Sequence, residues 1–139
     1  MIFKRHPKPV NLEHLDDLEA MEATGQPILL DFWRNGCQPC RLMDGVVREL
    51  AEEFHGTAHV VKVDIGAVPN AAQRFRIQAT PTFIVLGRSQ KKPSKKARKR
   101  GAADPADAPR TPRWRASGMV RTDVLAGALE SNGATRAGG

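Results

Sequence analysis

The sequence of 139 residues has no tyrosine and only two cysteines, which are too few for a disulfide-stapled scaffold. No apolar run approaches the ~20 residues that a membrane-spanning helix needs, so we expect no association with a membrane. The basic residues at the N-terminus are not followed by the apolar stretch of a secretory signal, and we therefore expect a cytoplasmic protein. A hydrophobic content of 40% argues against full disorder and predicts a single soluble globular domain.

Positive charge is concentrated in one segment, although the whole chain has a formal net charge of +7. Residues 88–115 contain eleven Lys and Arg and two Asp, which gives a net charge of +9. The rest of the chain contains eleven Lys and Arg and thirteen Asp and Glu, which gives a net charge of −2. Arguments about charged partners therefore apply to this segment alone. Residues 88–113 also lack apolar periodicity and contain four prolines, which predicts an exposed and disordered insertion.

Alternating helix and strand patterns predict an α/β layered domain for the remainder of the chain. We predict strands at 28–33, 58–64, 81–86 and 114–116, and helices at 11–23, 37–54, 70–75 and from residue 122. The expected caps are Asn11 and Thr122, and the expected inward residues of the second and last helices are Leu42, Val46, Leu50, Phe54, Val124, Leu125, Ala128 and Leu129. The first two strands should be parallel, and the last two should pair antiparallel around the insertion. Residues 132–139 are expected to form a flexible tail.

Both cysteines belong to one C-x-x-C motif, Cys37-Gln38-Pro39-Cys40, between a predicted buried strand and a predicted helix. The free backbone N–H groups and the dipole at a helix N-terminus lower the pKa of a thiol there, and the thiolate is the nucleophile. The second cysteine lies one turn further on, close enough to attack a mixed disulfide formed at the first. Pro39 suits the first helical turn, where its missing N–H donor costs nothing. The motif therefore favours redox chemistry.

Two other interpretations of the motif are half of a zinc site and a chance pair of inert thiols. Tetrahedral zinc needs two further ligands, but no other cysteine exists and the histidines do not pair at a metal-binding spacing; they are His6, His14, His55 and His59. The strand–turn–helix context is the one that a redox motif requires. We therefore expect no metal at this motif, and disulfide exchange between thiols needs no bound organic cofactor.

The segment ILLDFW, followed by RNG and CQPC, resembles the active-site segment of the thioredoxin family. The resemblance continues through VVKVD, ATPTF and the glycine before the last helix, and it covers about residues 10–87 and 114–131. It implies a thioredoxin-like three-layer fold with a central mixed β-sheet flanked by helices. It also implies a protein thiol–disulfide oxidoreductase of the reductase type, with a redox-active Cys37–Cys40 disulfide. Protein disulfides would be its substrates, and a protein of the thioredoxin reductase type would be its electron donor.

The same resemblance implies roles for individual residues. Cys37 would be the attacking thiol and Cys40 the buried resolving thiol. Asp31 would be a buried carboxylate that helps to take the proton from Cys40, with Lys62 on the adjacent strand as its charge partner. Pro81 would be a cis-proline facing the cysteines. The implied substrate-contact residues surround the active-site turn and this proline: Trp33, Gly36, Gln38, Pro39, Thr80, Pro81 and Gly118, with the backbone of Thr80 offering hydrogen bonds to a bound peptide.

Elementary chemistry supports some of these roles more strongly than others. Asp31 lies in an apolar strand, where ionisation is costly, so its pKa should rise and make it a proton acceptor near neutral pH. The alternatives are a surface-edge aspartate for Asp31 and a solvent-facing strand lysine for Lys62. Pro81 alone predicts only a strand start, because most X–Pro bonds are trans. Trp33 alone is typical of a core residue.

The chain also departs from the family pattern. Gly36 stands where tryptophan is usual, Gln38 where glycine is usual, and Gly45 where a helix-kinking proline is usual. These changes and the insertion leave the disulfide chemistry in place but bear on redox potential and on partners. A disulfide oxidase or isomerase is therefore an alternative function, as is a non-catalytic adaptor. For residues 88–115 the alternatives are a solvated loop, a docking segment for an acidic protein, and a nucleic-acid patch.

Overall fold

The computed structural model describes residues 7–88, 95–99, 101 and 111–137. The predicted α/β class is confirmed, since strands and helices alternate along most of the chain. In chain order the elements are β1 (Val10–Asn11), a 3-10 helix (Leu15–Asp17), α1 (Leu18–Glu22), β2 (Ile28–Trp33), α2 (Gln38–Glu53), β3 (His59–Asp64), α3 (Ala71–Arg74), β4 (Thr82–Gly87), α4 (Lys95–Lys99), β5 (Thr111–Ser117) and α5 (Thr122–Glu130).

The described strands form one mixed sheet in the order β1-β3-β2-β4-β5. Strands β1 and β2 both lie parallel to β3, whereas β4 is antiparallel to both β2 and β5. This confirms the predicted parallel pairing of β2 with β3 and the antiparallel pairing of β4 with β5. In the register, Asp31 at the centre of the sheet lies between Lys62 of β3 and Phe83 of β4.

Helices cover both faces of the sheet around two apolar cores, which confirms the three-layer arrangement. On one face, α2 and α5 pack against Leu29, Val60 and Phe83. On the other face, α1 and α3 pack against Leu30 and its neighbours. Because side chains alternate along a strand, Asp31 lies on the same face as Leu29, beneath α2.

The buried stripe of α2 differs from the predicted one. Leu42 is 61% exposed, whereas Met43, Val47 and Leu50 are buried. A helix has 3.6 residues per turn, so a series of strict four-residue steps drifts by about 120° between residues 42 and 54 and leaves the core face. Val124 of α5 was also expected to face inward, and it is 44% exposed.

The helix predicted over residues 11–23 is replaced by β1, a 3-10 helix and α1. Asn11, the expected N-cap, pairs with Lys62 of β3 instead, and the backbone N–H of Leu12 donates to the Lys62 carbonyl. Edge pairing satisfies backbone groups that a helix start would leave free. Thr122, the expected cap of the last helix, is its first residue, and the N-cap is Arg121, which makes no side-chain capping hydrogen bond.

The predicted disordered insertion at 88–113 overlaps described structure at two places. The short helix α4 lies within it, and β5 begins at Thr111 rather than at residue 114, because it pairs with β4 as far as Gly87. The other residues between 89 and 110, apart from 101, lie outside the described residues. No helix in the described part of the chain is long and apolar enough to cross a membrane.

The segment predicted as a flexible tail, 132–139, packs against the body of the domain over much of its described length. Ala134 is buried, and the carbonyl of Thr135 accepts a hydrogen bond from the hydroxyl of Thr57. The backbone N–H of Ala137 donates to the carbonyl of Glu53 at the end of α2. Residues 138 and 139 lie outside the described range.

Candidate active site

The two cysteines lie where β2 leads into α2. Trp33 ends the strand, and Gly36 in the following turn has a φ of +78°, a conformation that glycine adopts without steric cost. Cys37 is the N-cap of α2, and Pro39 occupies its first turn. The strand–turn–helix setting predicted for the C-x-x-C motif is therefore present.

Cys37 and Cys40 form a disulfide, with their Cα atoms 5.3 Å apart. Both are buried, whereas Gly36, Gln38 and Pro39 are exposed around them. The backbone N–H of Cys40 donates a hydrogen bond to Cys37 Sγ over 3.3 Å. After reduction, this donor and the positive end of the helix dipole would stabilise a thiolate at Cys37. The geometry thus suits Cys37 as the nucleophile.

The loop before β4 faces the disulfide. The Thr80–Pro81 peptide bond is cis, and the Thr80 carbonyl oxygen lies 3.5 Å from Cys37 Sγ. The Pro81 carbonyl accepts a hydrogen bond of 2.8 Å from the backbone N–H of Gly118, which has a φ of +88°. Cys37, Thr80, Pro81 and Gly118 therefore meet at one corner of the molecule. Strand β4 begins one residue after Pro81 rather than at it.

Asp31 is the buried acid of the site. Its side chain is 1% exposed, and neither carboxyl oxygen has a hydrogen-bond partner among the described residues. Burial raises the pKa of Asp31 from 3.8 to about 7; the positive charge of Lys62 opposes this rise, and the negative charge of Asp44 adds to it. A carboxyl group with that pKa is half ionised near neutral pH, so it can both accept and return a proton.

Lys62, the predicted charge partner of Asp31, makes no hydrogen bond to that carboxyl group, and its positive charge acts to lower the pKa of Asp31. Although the two residues are neighbours in the register of β2 and β3, Lys62 Nζ donates to Asp44 Oδ1 over 2.9 Å. The same Nζ lies 5.0 Å from the centroid of the Trp33 ring. Because its ammonium group is bound to Asp44, Lys62 makes no direct ion pair with Asp31. Its positive charge affects the pKa of Asp31 through the electrostatic field alone.

Asp44 is a site residue that the sequence analysis missed. It lies on α2 four residues after Cys40, a spacing that places two side chains on the same face of a helix. That spacing was the available signal, but an acid in the middle of a helix is more often a solvated surface residue. Its side chain is 42% exposed, and it lies at the edge of the site rather than in the core.

Trp33 is half-buried at the end of β2, close to the active-site turn. Its indole N–H has no hydrogen-bond partner among the described residues. The hydroxyl of Thr80 is likewise buried without a partner in this part of the chain. These two polar groups lie on the two segments that approach the disulfide, and neither is engaged within the protein as described.

An apolar groove of about 620 Å³ lies beside the site, between α2 and the loop that leads into α5. Leu42 and Met119 line it and are both more than half exposed. Met119 directly follows Gly118 in the chain. This surface was not predicted, because the four-residue spacing of Leu42, Val46 and Leu50 had suggested that Leu42 faces the core. Among the described residues, no group of three or more His, Cys, Asp or Glu could hold a metal ion.

The family model for thioredoxin matches residues 11–106, which is more than half of the chain. The chain belongs to the thioredoxin family. Thioredoxin 1 from Chlorobaculum tepidum is 39% identical over 72 residues, which make up 52% of this chain and 69% of that protein. The chloroplastic thioredoxin Y2 from Arabidopsis thaliana is 35% identical over 82 residues, or 59% of this chain and 48% of that protein. The match therefore spans about two thirds of the length of the first relative and about half of the length of the second.

The fold is also that of solved thioredoxins. A mutant thioredoxin from Halobacterium salinarum superimposes with a TM-score of 0.65 and 20% identity, over 94% of this chain and 96% of that one. A likeness at this identity shows the thioredoxin fold alone. The family, together with the Cys37–Cys40 disulfide at the start of α2, supports thiol–disulfide exchange as the chemistry of the site.

Proposed function

We propose that this thioredoxin-family protein reduces disulfide bonds in other proteins by dithiol exchange. The observation that carries the proposal is the Cys37–Cys40 disulfide at the N-terminus of α2, with the Cys40 N–H directed at Cys37 Sγ. The Thr80 carbonyl oxygen beside the same sulfur and the buried Asp31 beneath α2 complete the site.

In the first step the Cys37 thiolate attacks one sulfur of the substrate disulfide. A Cys37–substrate S–S bond forms, the substrate S–S bond breaks, and the departing substrate thiolate takes a proton from water. The Cys40 N–H and the dipole of α2 hold the attacking thiolate in its ionised form. Gly36, Gln38 and Pro39 are exposed around Cys37, and Thr80, Pro81 and Gly118 form the opposite side of the contact surface.

In the second step the Cys40 thiol gives its proton to the Asp31 carboxylate and attacks Cys37 Sγ. The Cys37–Cys40 bond forms, and the second substrate thiolate leaves with the electron pair of the mixed disulfide. Overall, two electrons pass from the dithiol to the substrate. A protein of the thioredoxin reductase type would then supply two electrons to restore the dithiol. The disulfide is the only redox group that this cycle uses, and no further cofactor takes part in it.

The setting of this cycle would be the cytoplasm, where reducing partners keep such dithiols reduced and where the protein would serve electron transport and redox homeostasis. The cysteine content supports this location, since both cysteines belong to the C-x-x-C motif and none is left for a structural disulfide. Fractionation of cells carrying a tagged full chain tests it: recovery of the protein from an oxidising compartment would contradict the proposal.

We further propose that the basic segment 88–115 attracts an acidic protein partner. Its net charge of +9 in an otherwise mildly acidic chain supports this role. In the part of the segment that the structure describes, Lys95, Lys96 and Lys99 of α4 are all exposed. Exposed charges of one sign raise the rate of association with an oppositely charged partner at low ionic strength.

Two cysteine variants test the central proposal. Cys37→Ser should abolish turnover of a disulfide-containing protein substrate, because it removes the nucleophile. Cys40→Ser should retain the first attack and accumulate a mixed disulfide with the substrate, visible as a higher-mass band on a non-reducing gel. Glu49→Gln on the exposed face of α2 is the matched control and should leave turnover unchanged.

The same variants separate the alternative functions. An adaptor would keep its binding partners in Cys37→Ser, so unchanged function in that variant would contradict the reductase proposal. An oxidase or isomerase would transfer its disulfide to reduced substrates, so faster oxidation than reduction under matched conditions would favour that direction of electron flow.

A further inference from the structure

The ammonium group of Lys62 is bound at a different place from the one that the sheet register suggests. Lys62 and Asp31 are paired neighbours on β3 and β2 and lie on the same face of the sheet. An unpaired buried carboxyl group beside a lysine would ordinarily draw that lysine into an ion pair. Here both oxygens of Asp31 lack a hydrogen-bond partner among the described residues, and Lys62 Nζ bonds to Asp44 Oδ1 over 2.9 Å.

Two contacts keep the ammonium group in this position. Asp44 binds it from α2, and the Trp33 ring lies 5.0 Å from it on the β2 side. A cation near an aromatic face gains electrostatic energy, which adds to the charge-assisted hydrogen bond. The Lys62 side chain is 20% exposed and the Asp44 side chain 42%, so the pair lies at the outer edge of the site, above the buried Asp31.

We infer that Asp44 is a positioning residue of the proposed exchange reaction: by binding the Lys62 ammonium group, it keeps that group from pairing with the Asp31 carboxyl, which stays able to accept the Cys40 proton. This inference rests on the proposed function, since Asp31 matters to the second step as the acceptor of the Cys40 proton. Asp44 itself touches no reacting atom.

Few titratable groups face Asp31 from the elements packed around it. From β3 the titratable neighbour is Lys62, and from α2 the groups are Asp44 and the two cysteines. From β4 the paired residue is the apolar Phe83, and the buried residues of α5 on this face are apolar. In the oxidised protein the cysteines do not titrate, so Lys62 and Asp44 remain as the charges to test.

Asp44 acts on Asp31 in two ways that have the same sign. Its negative charge disfavours a second negative charge on Asp31, and its bond to Lys62 withholds a positive charge that would favour one. Neutralising Asp44 should therefore lower the pKa of Asp31 on both counts. With Lys62 free to approach, the Asp31 carboxylate would bind the Cys40 proton less tightly. Asp31 would therefore be a weaker base in the second step.

The test is a titration of the Asp31 carboxyl carbon by NMR in the oxidised protein, with Asp31→Asn used to assign the signal. In Asp44→Asn we expect the pKa of Asp31 to fall by roughly 0.5 to 1 pH unit. Asp44→Glu keeps an acid that can reach Lys62 and should retain most of the wild-type value. Glu49→Gln removes one charge from the exposed face of α2 and should not move it.

A second comparison isolates the holding of Lys62 from the direct effect of the Asp44 charge. In a Lys62→Met background the Asp44→Asn change should lower the pKa of Asp31 by less than it does when Lys62 is present. A fall of equal size in both backgrounds, or no fall in either, would overturn the inference. The titration uses no substrate, so a protein that fails to reduce disulfides would contradict the proposed function without affecting this result.

Discussion

The carboxyl group of Asp31 makes the stability of the folded protein depend on pH. Its pKa is about 7 in the folded chain, against an ordinary value of 3.8. Between these pH values the unfolded chain releases a proton that the folded chain retains, so rising pH favours unfolding. The contribution of Asp31 to stability is complete below pH 3.8 and is lost as the pH rises to about 7. The loss amounts to on the order of 4 kcal/mol.

Replacement of this residue should therefore stabilise the protein in a pH-dependent manner. Asp31→Asn removes the ionisation but keeps the shape, so we expect the free energy of unfolding of the oxidised protein to rise by roughly 2–4 kcal/mol at pH 8. At pH 4 the difference should be within about 1 kcal/mol, because the wild-type carboxyl is already protonated in the fold. Denaturant unfolding at both pH values measures the two differences.

The control for this prediction is Glu49→Gln, which removes an exposed acid and should change stability little at either pH. An Asp31→Asn effect of the same size at pH 4 and pH 8 would contradict the account, since it would show that Asp31 does not change its ionisation between these values. Slower resolution of mixed disulfides in the same variant is the expected effect on activity.

For single residues, the sequence predicts which side chains belong to the site better than it predicts which side chains they contact. The apolar residues on both sides of Asp31 predicted an acid with a raised pKa, with a surface-edge aspartate as the alternative. The C-x-x-C motif favoured redox chemistry, and the resemblance to the thioredoxin family implied the disulfide. The partner of Lys62 was not predictable, because three side chains from β2, β3 and α2 must be placed before Asp44 can be seen to compete with Asp31. Strand pairing alone places Lys62 beside Asp31 and does not show that Asp44 binds the ammonium group.

Helix α2 carries a glycine in its middle that the fold does not require. Gly45 is exposed, and a Cβ atom added there would meet nothing within 4 Å. Gly45→Ala should therefore stabilise the protein by roughly 0.5–1 kcal/mol, because alanine loses less backbone entropy on folding. Denaturant unfolding of the oxidised protein measures the change.

Gly36 provides a contrasting case in the turn just before the same helix. An added Cβ would also meet nothing within 4 Å, but φ is +78°, so Gly36→Ala should destabilise the protein by roughly 1 kcal/mol through backbone strain. Stabilisation by both alanine substitutions, or by neither, would contradict the assignment of one glycine to a helical conformation and the other to a left-handed turn.

Helices and strands were predictable where the apolar periodicity of a segment and its length indicate the same type of element. Strand β2 matches its predicted bounds, α2 is shorter than predicted by one residue at each end, and β3 begins one residue later than predicted. The N-terminal segment was not predictable in this way, because its leucine spacing is helical while β1 is held by pairing with the edge of β3. Local periodicity carries no information about an edge strand of two residues.

The domain as a whole is supported by two apolar cores, and no described residue of the insertion at 88–113 belongs to either of them. Strands β4 and β5 meet at Gly87 and Thr111, so the insertion leaves and rejoins the sheet at neighbouring positions. Long surface insertions of this kind cost little closure entropy. Sequence composition predicted an exposed segment at this place.

Shortening the insertion should leave the fold intact and change association with an acidic substrate. With residues 89–109 replaced by a short glycine-containing turn, we expect the midpoint of unfolding to stay within a few degrees of wild type. The rate of reduction of an acidic protein disulfide should fall at low salt and converge with the wild-type rate at high salt. Stopped-flow kinetics at several ionic strengths measure this dependence.

A full-length variant separates charge from length in that experiment. Changing Lys95, Lys96 and Lys99 to Gln keeps the insertion but removes three of its exposed charges. Its rate at low salt should lie between those of the shortened chain and the wild type. Equal rates for all three proteins at low salt would show that the basic segment does not steer the substrate.

The reduction potential of the Cys37–Cys40 pair decides whether this protein donates electrons to disulfides or accepts them from thiols. The oxidised protein is equilibrated in graded dithiol buffers, and the free thiols are alkylated and counted by mass. A protein that reduces disulfides in the cytoplasm should show a single two-thiol transition at a potential below about −220 mV, in the range of the glutathione pool or lower. A potential well above that value, or no disulfide at any buffer composition, would contradict the assignment of this protein as a disulfide reductase.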